Sequence, residues 1–162
     1  MHAPGYDVAQ VCPNGHVSNP STKNCPQHSR NFCEECGEQT VTSCMKCKNP
    51  IRGRYWGGVI DLTEYKPPAC CGDCGHAFPW TERRIKAAKE MLTESGELTP
   101  EQVKETEASI EELAKNSPQG QVAATRMKRI LSKVGKGTAS AVRDILVDIA
   151  SETAKKVIWP DK

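Results

Sequence analysis

Residues 32–53 read FCEECGEQTVTSCMKCKNPIRG and contain two Cys-x-x-Cys pairs, Cys33/Cys36 and Cys44/Cys47. Only seven residues separate the two pairs. Either the four sulfurs bind one metal ion together, or each pair supplies half of a different site. Structural zinc sites take four thiolate or imidazole ligands, usually as two short pairs. The choice between one ion and two therefore depends on the ligand pairs elsewhere in the chain.

The composition predicts a small protein whose first half depends on metal. Nine cysteines occur among 162 residues, and none follows Cys74. Aromatic residues make up only 5% of the chain, too few for one large apolar core, and small domains of this kind usually need metal or disulfides. The N-terminal segment MHAPGYDVAQ lacks the basic start and apolar run of a secretory signal, so we expect a cytoplasmic protein with reduced, metal-binding thiols. The chain has no stretch of about 18 apolar residues, so no membrane span is expected.

A two-ion arrangement gives every short pair a partner. One site then has three thiolates and an imidazole, the next has four thiolates, and loops of sixteen and twenty-three residues connect the pairs within each site. Zinc ribbons use loops of this size. A single site built from the two inner pairs would leave the outer pairs without partners. We therefore predict two zinc ions linked by the segment GEQTVTS, with the ligands Cys12, His16, Cys33, Cys36 for the first and Cys44, Cys47, Cys71, Cys74 for the second.

Two alternatives remain open at this point. Cys25 and His28 can replace Cys12 and His16, although the loop that follows His28 would then be tight. In the second site Cys70 competes with Cys71. Cys71 is preferred because it forms a Cys-x-x-Cys-Gly knuckle, in which glycine tolerates the positive φ of the turn, and Cys70 is then expected to be partly buried.

The metals are expected to be structural. A catalytic zinc keeps an open position, usually beside a Glu or His that moves protons. Both predicted ions are fully ligated, mainly by sulfur, and the chain contains no His-Glu-x-x-His, phosphate-binding loop or Gly-x-Ser-x-Gly motif. We therefore expect no catalytic residues and no enzyme activity.

Four segments carry a family resemblance. CPNGHVSN, FCEECGEQT, CMKCKNPIRG and CGDCGHAFPWTE, in this order and spacing, resemble an uncharacterised bacterial family of small double-zinc-ribbon proteins, a domain of unknown function. The resemblance covers about Val11 to Glu82 well and the remainder more loosely. It implies the eight ligands given above, omits Cys25 and His28, and supplies no activity.

The second half predicts three to four helices. Thr81, Thr99 and Ser117 are suitable N-caps for helices over about 82–95, 100–116 and 118–134, and the second has the capping-box residue Gln102. A fourth helix is expected from Thr138 or Ser140 to the residues before Trp159. The predicted fold is therefore a small metal-stabilised α+β protein, with tandem zinc ribbons and short β-hairpins over residues 1–80 and an α-helical region over residues 81–162.

The last two predicted helices have broad apolar stripes. Their members are Val122, Met127, Ile130, Leu131, Val134, Val142, Ile145, Leu146, Ile149, Val157 and Ile158. Such stripes pack in a bundle or against a second copy of the chain. A homodimer formed through these helices is therefore a hypothesis.

Two basic segments are candidate binding surfaces. Arg126, Arg129, Lys133 and Lys136 fall three or four residues apart, as on one helix face, although they are more simply explained by pairing with the acidic helix before them. Arg52, Arg54, Tyr55 and Trp56 fall on the long loop of the second ribbon. There the aromatic rings serve either to stack on bases or to fill the small core with Phe78 and Trp80.

The sequence thus favours a non-catalytic zinc-binding adaptor that contacts a protein partner or a second copy of itself. The alternative is a regulatory nucleic-acid-binding protein that uses the two basic segments.

Overall fold

The computed structural model describes residues 3–57 and 62–160. The chain divides into two compact units, residues 1–82 and 83–162. In the part of the chain that the structure describes, the first unit contains four short β-strands and the second is helical. This is the small α+β fold with short antiparallel strand pairs that the sequence predicts.

The strands of the first unit form two antiparallel pairs. Strand β1 (Gly5–Val8) pairs with β4 (Arg52–Trp56), and β2 (Gln10–Val11) pairs with β3 (Val17–Asn19). A 3-10 turn covers Pro26–His28. Because β1 pairs with a strand more than forty residues away, the two predicted ribbons share backbone hydrogen bonds rather than forming separate modules.

The core of the first unit is small. Ala9, Val11 and Ile51 are fully buried, and they pack with the stacked rings of Phe78 and Trp80, whose centroids are 4.5 Å apart. Phe78 and Trp80 thus take the core role expected for them. Tyr55 and Trp56 do not, because 49% and 41% of their surface is exposed.

The described residues then form five α-helices, one more than the upper limit of the prediction. They are α1 (Pro79–Glu94), α2 (Pro100–Leu113), α3 (Pro118–Leu131), α4 (Lys136–Leu146) and α5 (Glu152–Ile158). The expected fourth helix is divided, because the backbone N–H of Ser151 donates to Leu113 O and its hydroxyl accepts from Ala154 N to cap α5. A tertiary hydrogen bond and a local cap together make this break.

The helix starts agree with the caps for α2 and α3 but not for α1 and α4. Thr99 and Gln102 form the predicted capping box, and Ser117 caps α3. Helix α1 begins at Pro79, earlier than expected, and Thr81 instead donates its hydroxyl hydrogen to Ala69 O. Helix α4 begins at Lys136, and the carboxylate of Glu97 accepts from Gly135 N and from the hydroxyl of Thr138 at this helix end.

The second unit buries nearly all of the predicted apolar stripe in its own core. Met127, Ile130, Val142 and Leu146 are at most 1% exposed, and Ile145 and Val157 pack partly buried against them. Val122 is the exception, since 44% of its surface is exposed. The stripe is thus covered within the chain, and the observation that suggested a homodimer no longer supports one.

Candidate metal centres

Three of the four knuckles use the same backbone turn. In each, the N–H of the first cysteine donates to the carbonyl five residues later, and the N–H four residues later donates back to that cysteine. The pairs are Cys33 with Glu38 and Gly37, Cys44 with Asn49 and Lys48, and Cys71 with His76 and Gly75. The turn fixes both sulfurs of a Cys-x-x-Cys pair on one side of the chain, which is what shared coordination requires.

The residue after the second cysteine has a positive φ in all three turns. The angles are 75° at Gly37, 72° at Gly75 and 65° at Lys48. Glycine adopts this conformation without strain, whereas lysine does so at a cost. The fourth knuckle differs, because Gly15, with φ of 92°, precedes its ligand His16 rather than following it. The knuckle of Cys12 and His16 therefore positions its two ligands with a different turn.

The structure brings the eight expected ligands together in two groups of four. Cys12, His16, Cys33 and Cys36 form one group, and Cys44, Cys47, Cys71 and Cys74 form the other. Within each group, one ligand atom from every residue lies within 4.8 Å of the rest. The four inner sulfurs therefore belong to two sites, and the two clusters fit two metal ions.

The separations match tetrahedral coordination. Two sulfurs at about 2.3 Å from a common ion lie roughly 3.8 Å apart, and a sulfur and an imidazole nitrogen about 3.6 Å apart. The Sγ atoms of Cys12 and Cys36 are 3.7 Å apart, and His16 Nδ1 is 3.5 Å from Cys12 Sγ. In the second group, Cys44 and Cys74 are separated by 3.8 Å and Cys47 and Cys71 by 3.7 Å. The sulfurs are too far apart for disulfides, and none of the nine cysteines forms one.

Backbone N–H groups prepare part of each cluster for metal. The N–H of Glu38 and the side chain of Asn14 lower the pKa of Cys36 to about 6. The N–H of Cys47 lowers the pKa of Cys44 to about 7. Burial raises the pKa of Cys12 to about 11, so the thiols of Cys12 and Cys36 in the first cluster do not ionise together. Metal binding would therefore release a proton from a thiol with a raised pKa, such as that of Cys12.

His16 has a carboxylate beside its second ring nitrogen. Its Nδ1 faces Cys12 and Cys33, whereas Nε2 lies 3.7 Å from Glu35 Oε2. Histidine ligands of metals commonly have a carboxylate at this position, which orients the ring. The sequence shows Glu35 inside a knuckle but gives no sign of this contact.

The two alternative ligand sets lie outside the clusters. Cys25 precedes the 3-10 turn and His28 ends it, and both line a cleft of about 560 Å³ beside His16. Cys71 is buried within its cluster, whereas Cys70 is exposed rather than partly buried as expected. Cys70 pairs through a β-bridge with Ala77 at the base of the knuckle.

The candidate binding residues fall into two different settings. Arg52, Arg54, Tyr55 and Trp56 lie on strand β4 rather than in an open loop. Arg126 and Arg129 lie on α3 and contact Glu105 of α2 at 3.9 and 2.6 Å, as the acidic–basic pairing predicts. Lys133 and Lys136 do not continue this helix, because α3 ends at Leu131 and α4 begins at Lys136. The expected single-helix stripe is thus wrong.

The family model of an uncharacterised group of proteins conserved in bacteria, DUF2321, matches residues 5–158. The chain belongs to this family. The match confirms the predicted resemblance and extends through both the metal clusters and the helices. No curated protein and no solved structure gives a significant match. No helix among the described residues is long and apolar enough to cross a membrane.

Proposed function

We propose that the chain is a non-catalytic protein that holds two structural zinc ions and serves as an adaptor for a protein partner. The spacing of the ligand atoms carries this proposal. Four protein atoms at tetrahedral separations complete each coordination shell, whereas a catalytic zinc needs a position for water or substrate. In this proposal the two ions hold the surface of the first unit rigid, and a partner protein binds to that surface.

Zinc is favoured over iron by the first cluster. Four thiolates suit either metal, but three thiolates with one imidazole are a usual structural zinc set. Metal analysis of protein expressed in medium with equal zinc and iron should return two zinc ions per chain. In cobalt-substituted protein, adding azide should leave the visible spectrum unchanged, because no position is open. A spectral shift with azide would overturn the structural assignment.

A cytoplasmic location is part of the same proposal. The support is the state of the cysteines, since none of the nine forms a disulfide and seven of them converge, with His16, in two clusters. Thiol-rich metal sites are typical of reducing compartments. Fractionation of the bacterial host should find the protein with cytoplasmic markers, and recovery with periplasmic or secreted markers would contradict this location.

Nucleic acid is the weaker candidate partner. Residues 1–82 contain seven Lys and Arg residues but eight Asp and Glu residues. A zinc ion adds a further charge of −1 when bound by three thiolates and −2 when bound by four, so the loaded unit is acidic. Non-specific binding of nucleic acid depends on neutralising many phosphates. In the second unit, Arg126 and Arg129 already contact Glu105.

Cross-linking in the native bacterial host tests the adaptor role directly. A tagged chain should co-purify with the same protein partner from repeated cultures, and a Cys44→Ser/Cys74→Ser variant that loses the second ion should lose it. Treatment with nuclease should not release the partner. Recovery of nucleic acid as the dominant bound species would overturn the adaptor role.

A further inference from the structure

An exposed pair of tyrosines lies on the antiparallel strand pair β1–β4. Tyr6 and Tyr55 are register partners, and their rings meet edge to face with centroids 5.1 Å apart. They remain 58% and 49% exposed. The guanidinium of Arg52 lies 4.8 Å from the centre of the Tyr6 ring. Large aromatic rings and arginines are the side chains most enriched at the energetic centres of protein interfaces.

A second chain segment forms the opposite wall. The hydroxyl of Tyr65 donates to Arg52 O at 2.5 Å, and the guanidinium of Arg54 donates to Thr63 O at 3.1 Å. Tyr65 also packs partly against the small core. Burial raises the pKa of Tyr65 to about 12. Both walls are therefore held in place before any ligand arrives.

Together these residues enclose a groove of about 350 Å³. We call it the tyrosine groove and define it by Tyr6, Tyr55, Tyr65, Arg52, Arg54 and Lys66. Glu64 is the one acidic residue among the described residues that line it. Among the described residues of the lining, three cations face one carboxylate, so this part of the groove is locally positive although the unit as a whole is acidic.

This contrast between local and overall charge selects the kind of ligand. Fields are screened over about 8 Å at physiological ionic strength. A short acidic segment therefore experiences mainly the cations of the groove, whereas a long polyanion also meets the acidic remainder of the unit. The exposed tyrosine faces add apolar area for a side chain of the same segment.

The geometry points to the tyrosine groove as a docking site for a short acidic peptide of a partner protein. Its carboxylates pair with Arg52 and Lys66, and an aromatic or proline side chain packs on Tyr6 and Tyr55. This inference rests on the proposed adaptor function and names the surface and the chemistry of its partner.

An unbiased peptide-display selection on the immobilised, zinc-loaded full chain is the experiment. Enriched peptides should be net acidic and carry at least one aromatic or proline residue. Synthetic copies, followed by fluorescence anisotropy, should bind an Arg52→Glu variant at least tenfold more weakly. A Tyr6→Ala/Tyr55→Ala variant should lose binding to a similar extent, and Tyr6→Phe/Tyr55→Phe should retain it, because the rings rather than the hydroxyls make the contact.

Lys23→Glu is the matched control, since it makes the same charge change on an exposed side chain of the same unit that does not line the groove. It should bind the peptides as the wild type does. Zinc content should be two in every variant, which excludes unfolding as the cause. The inference is overturned if the selected peptides are neutral or basic, if Arg52→Glu binds them normally, if no peptide is enriched, or if oligo-dT or oligo-U competes at lower concentration.

The peptide-display selection tests the groove and the co-purification tests the adaptor role, so either proposal can be overturned without the other. A partner recovered from the host whose binding survives Arg52→Glu would leave the adaptor role intact and remove the groove. Peptides bound in the groove without any partner in the host would retain the docking chemistry and remove the proposed role.

Discussion

The two units of the chain reach a stable fold by different means. Over its described range, 83–160, the second buries sixteen residues in one apolar cluster, including Ile110, Leu113 and Leu146. The described residues of the first unit bury a core of seven, and two of these are the cluster cysteines Cys44 and Cys71. Units of this size expose much of their surface and are marginal without additional stabilisation. The comparison indicates that the second unit relies on apolar burial, whereas the first has a smaller core and two ligand clusters that fit two metal ions.

Removing metal with a chelator should destabilise the first unit far more than the second, and this is the largest of the expected differences. Structural zinc contributes on the order of 10 kcal/mol per ion to apparent stability, far more than the small core of the first unit supplies. A strong chelator should therefore remove hydrogen-exchange protection from the backbone around Val11 and Ile51 while amides of α2 and α3 stay protected. Equal loss of protection in both units would show that the second also depends on metal.

Neighbouring cysteines sharpen the same comparison within the first unit. Cys71→Ser should reduce the zinc content from two ions to one and abolish protection at Phe78, because a buried ligand of the second cluster is lost. Cys70→Ser, the matched change one residue earlier, should retain both ions. Metal analysis with mass spectrometry under native conditions measures both. Two zincs in Cys71→Ser would assign the ligand to Cys70.

Truncation of the helical core should have the opposite pattern. Ile110 is fully buried, so Ile110→Ala should lower the free energy of unfolding of the second unit by about 2–5 kcal/mol. The zinc content should stay at two. Val122→Ala is the control, since Val122 is 44% exposed and its truncation should cost below about 0.5 kcal/mol. Urea denaturation followed by circular dichroism provides the measurement.

Asp7 is a buried carboxylate that supports the first unit without metal. Burial alone would raise its pKa, but hydrogen bonds from the backbone of Lys23, Val8 and Asn24 and from the Asn24 side chain hold the pKa below its ordinary value of 3.8. A depressed pKa contributes stability above the unfolded pKa, and that stability is lost as the pH falls through the folded pKa.

Asp7→Asn should therefore cost about 1–3 kcal/mol at neutral pH, because the substituted amide offers a single acceptor oxygen to the donors that the carboxylate now satisfies with two. The difference between wild type and variant should be constant from pH 8 to pH 5 and narrow below about pH 4. Both proteins share the same metal sites, so the contribution of zinc cancels in this difference. A gap that widens in acid would contradict the assigned sign.

The smallest effect concerns the knuckle turn in which lysine replaces glycine. Lys48 has φ of 65°, so Lys48→Gly should relieve strain and raise the stability of the zinc-loaded first unit by about 1 kcal/mol. Gly37→Ala, at the equivalent position of another knuckle, should lower it by a similar amount. Chelator competition at fixed pH compares the two, and effects of equal sign would refute the equivalence of the turns.

Local sequence signals predicted most of the structure that is set by residues close together in the chain. The Cys-x-x-Cys-Gly motifs specify their own turn, and Thr99 with Gln102 caps α2 through bonds made within one helical turn. Long-range contacts were less accessible. Nothing near Gly135 indicates that Glu97 accepts its N–H at the start of α4, and nothing near Tyr6 indicates that it pairs with Tyr55.

The sequence by itself determined the ligand types, their pairing by loop length and the helical nature of the second half, because these follow from spacing and local hydrogen bonding. Only the tertiary structure decided which aromatic residues form the core and which form a surface. It also decided that the apolar stripe is covered within the chain and that a fifth helix begins at Glu152. These outcomes depend on which segments meet in space, and side-chain burial is a property of that meeting rather than of either segment alone.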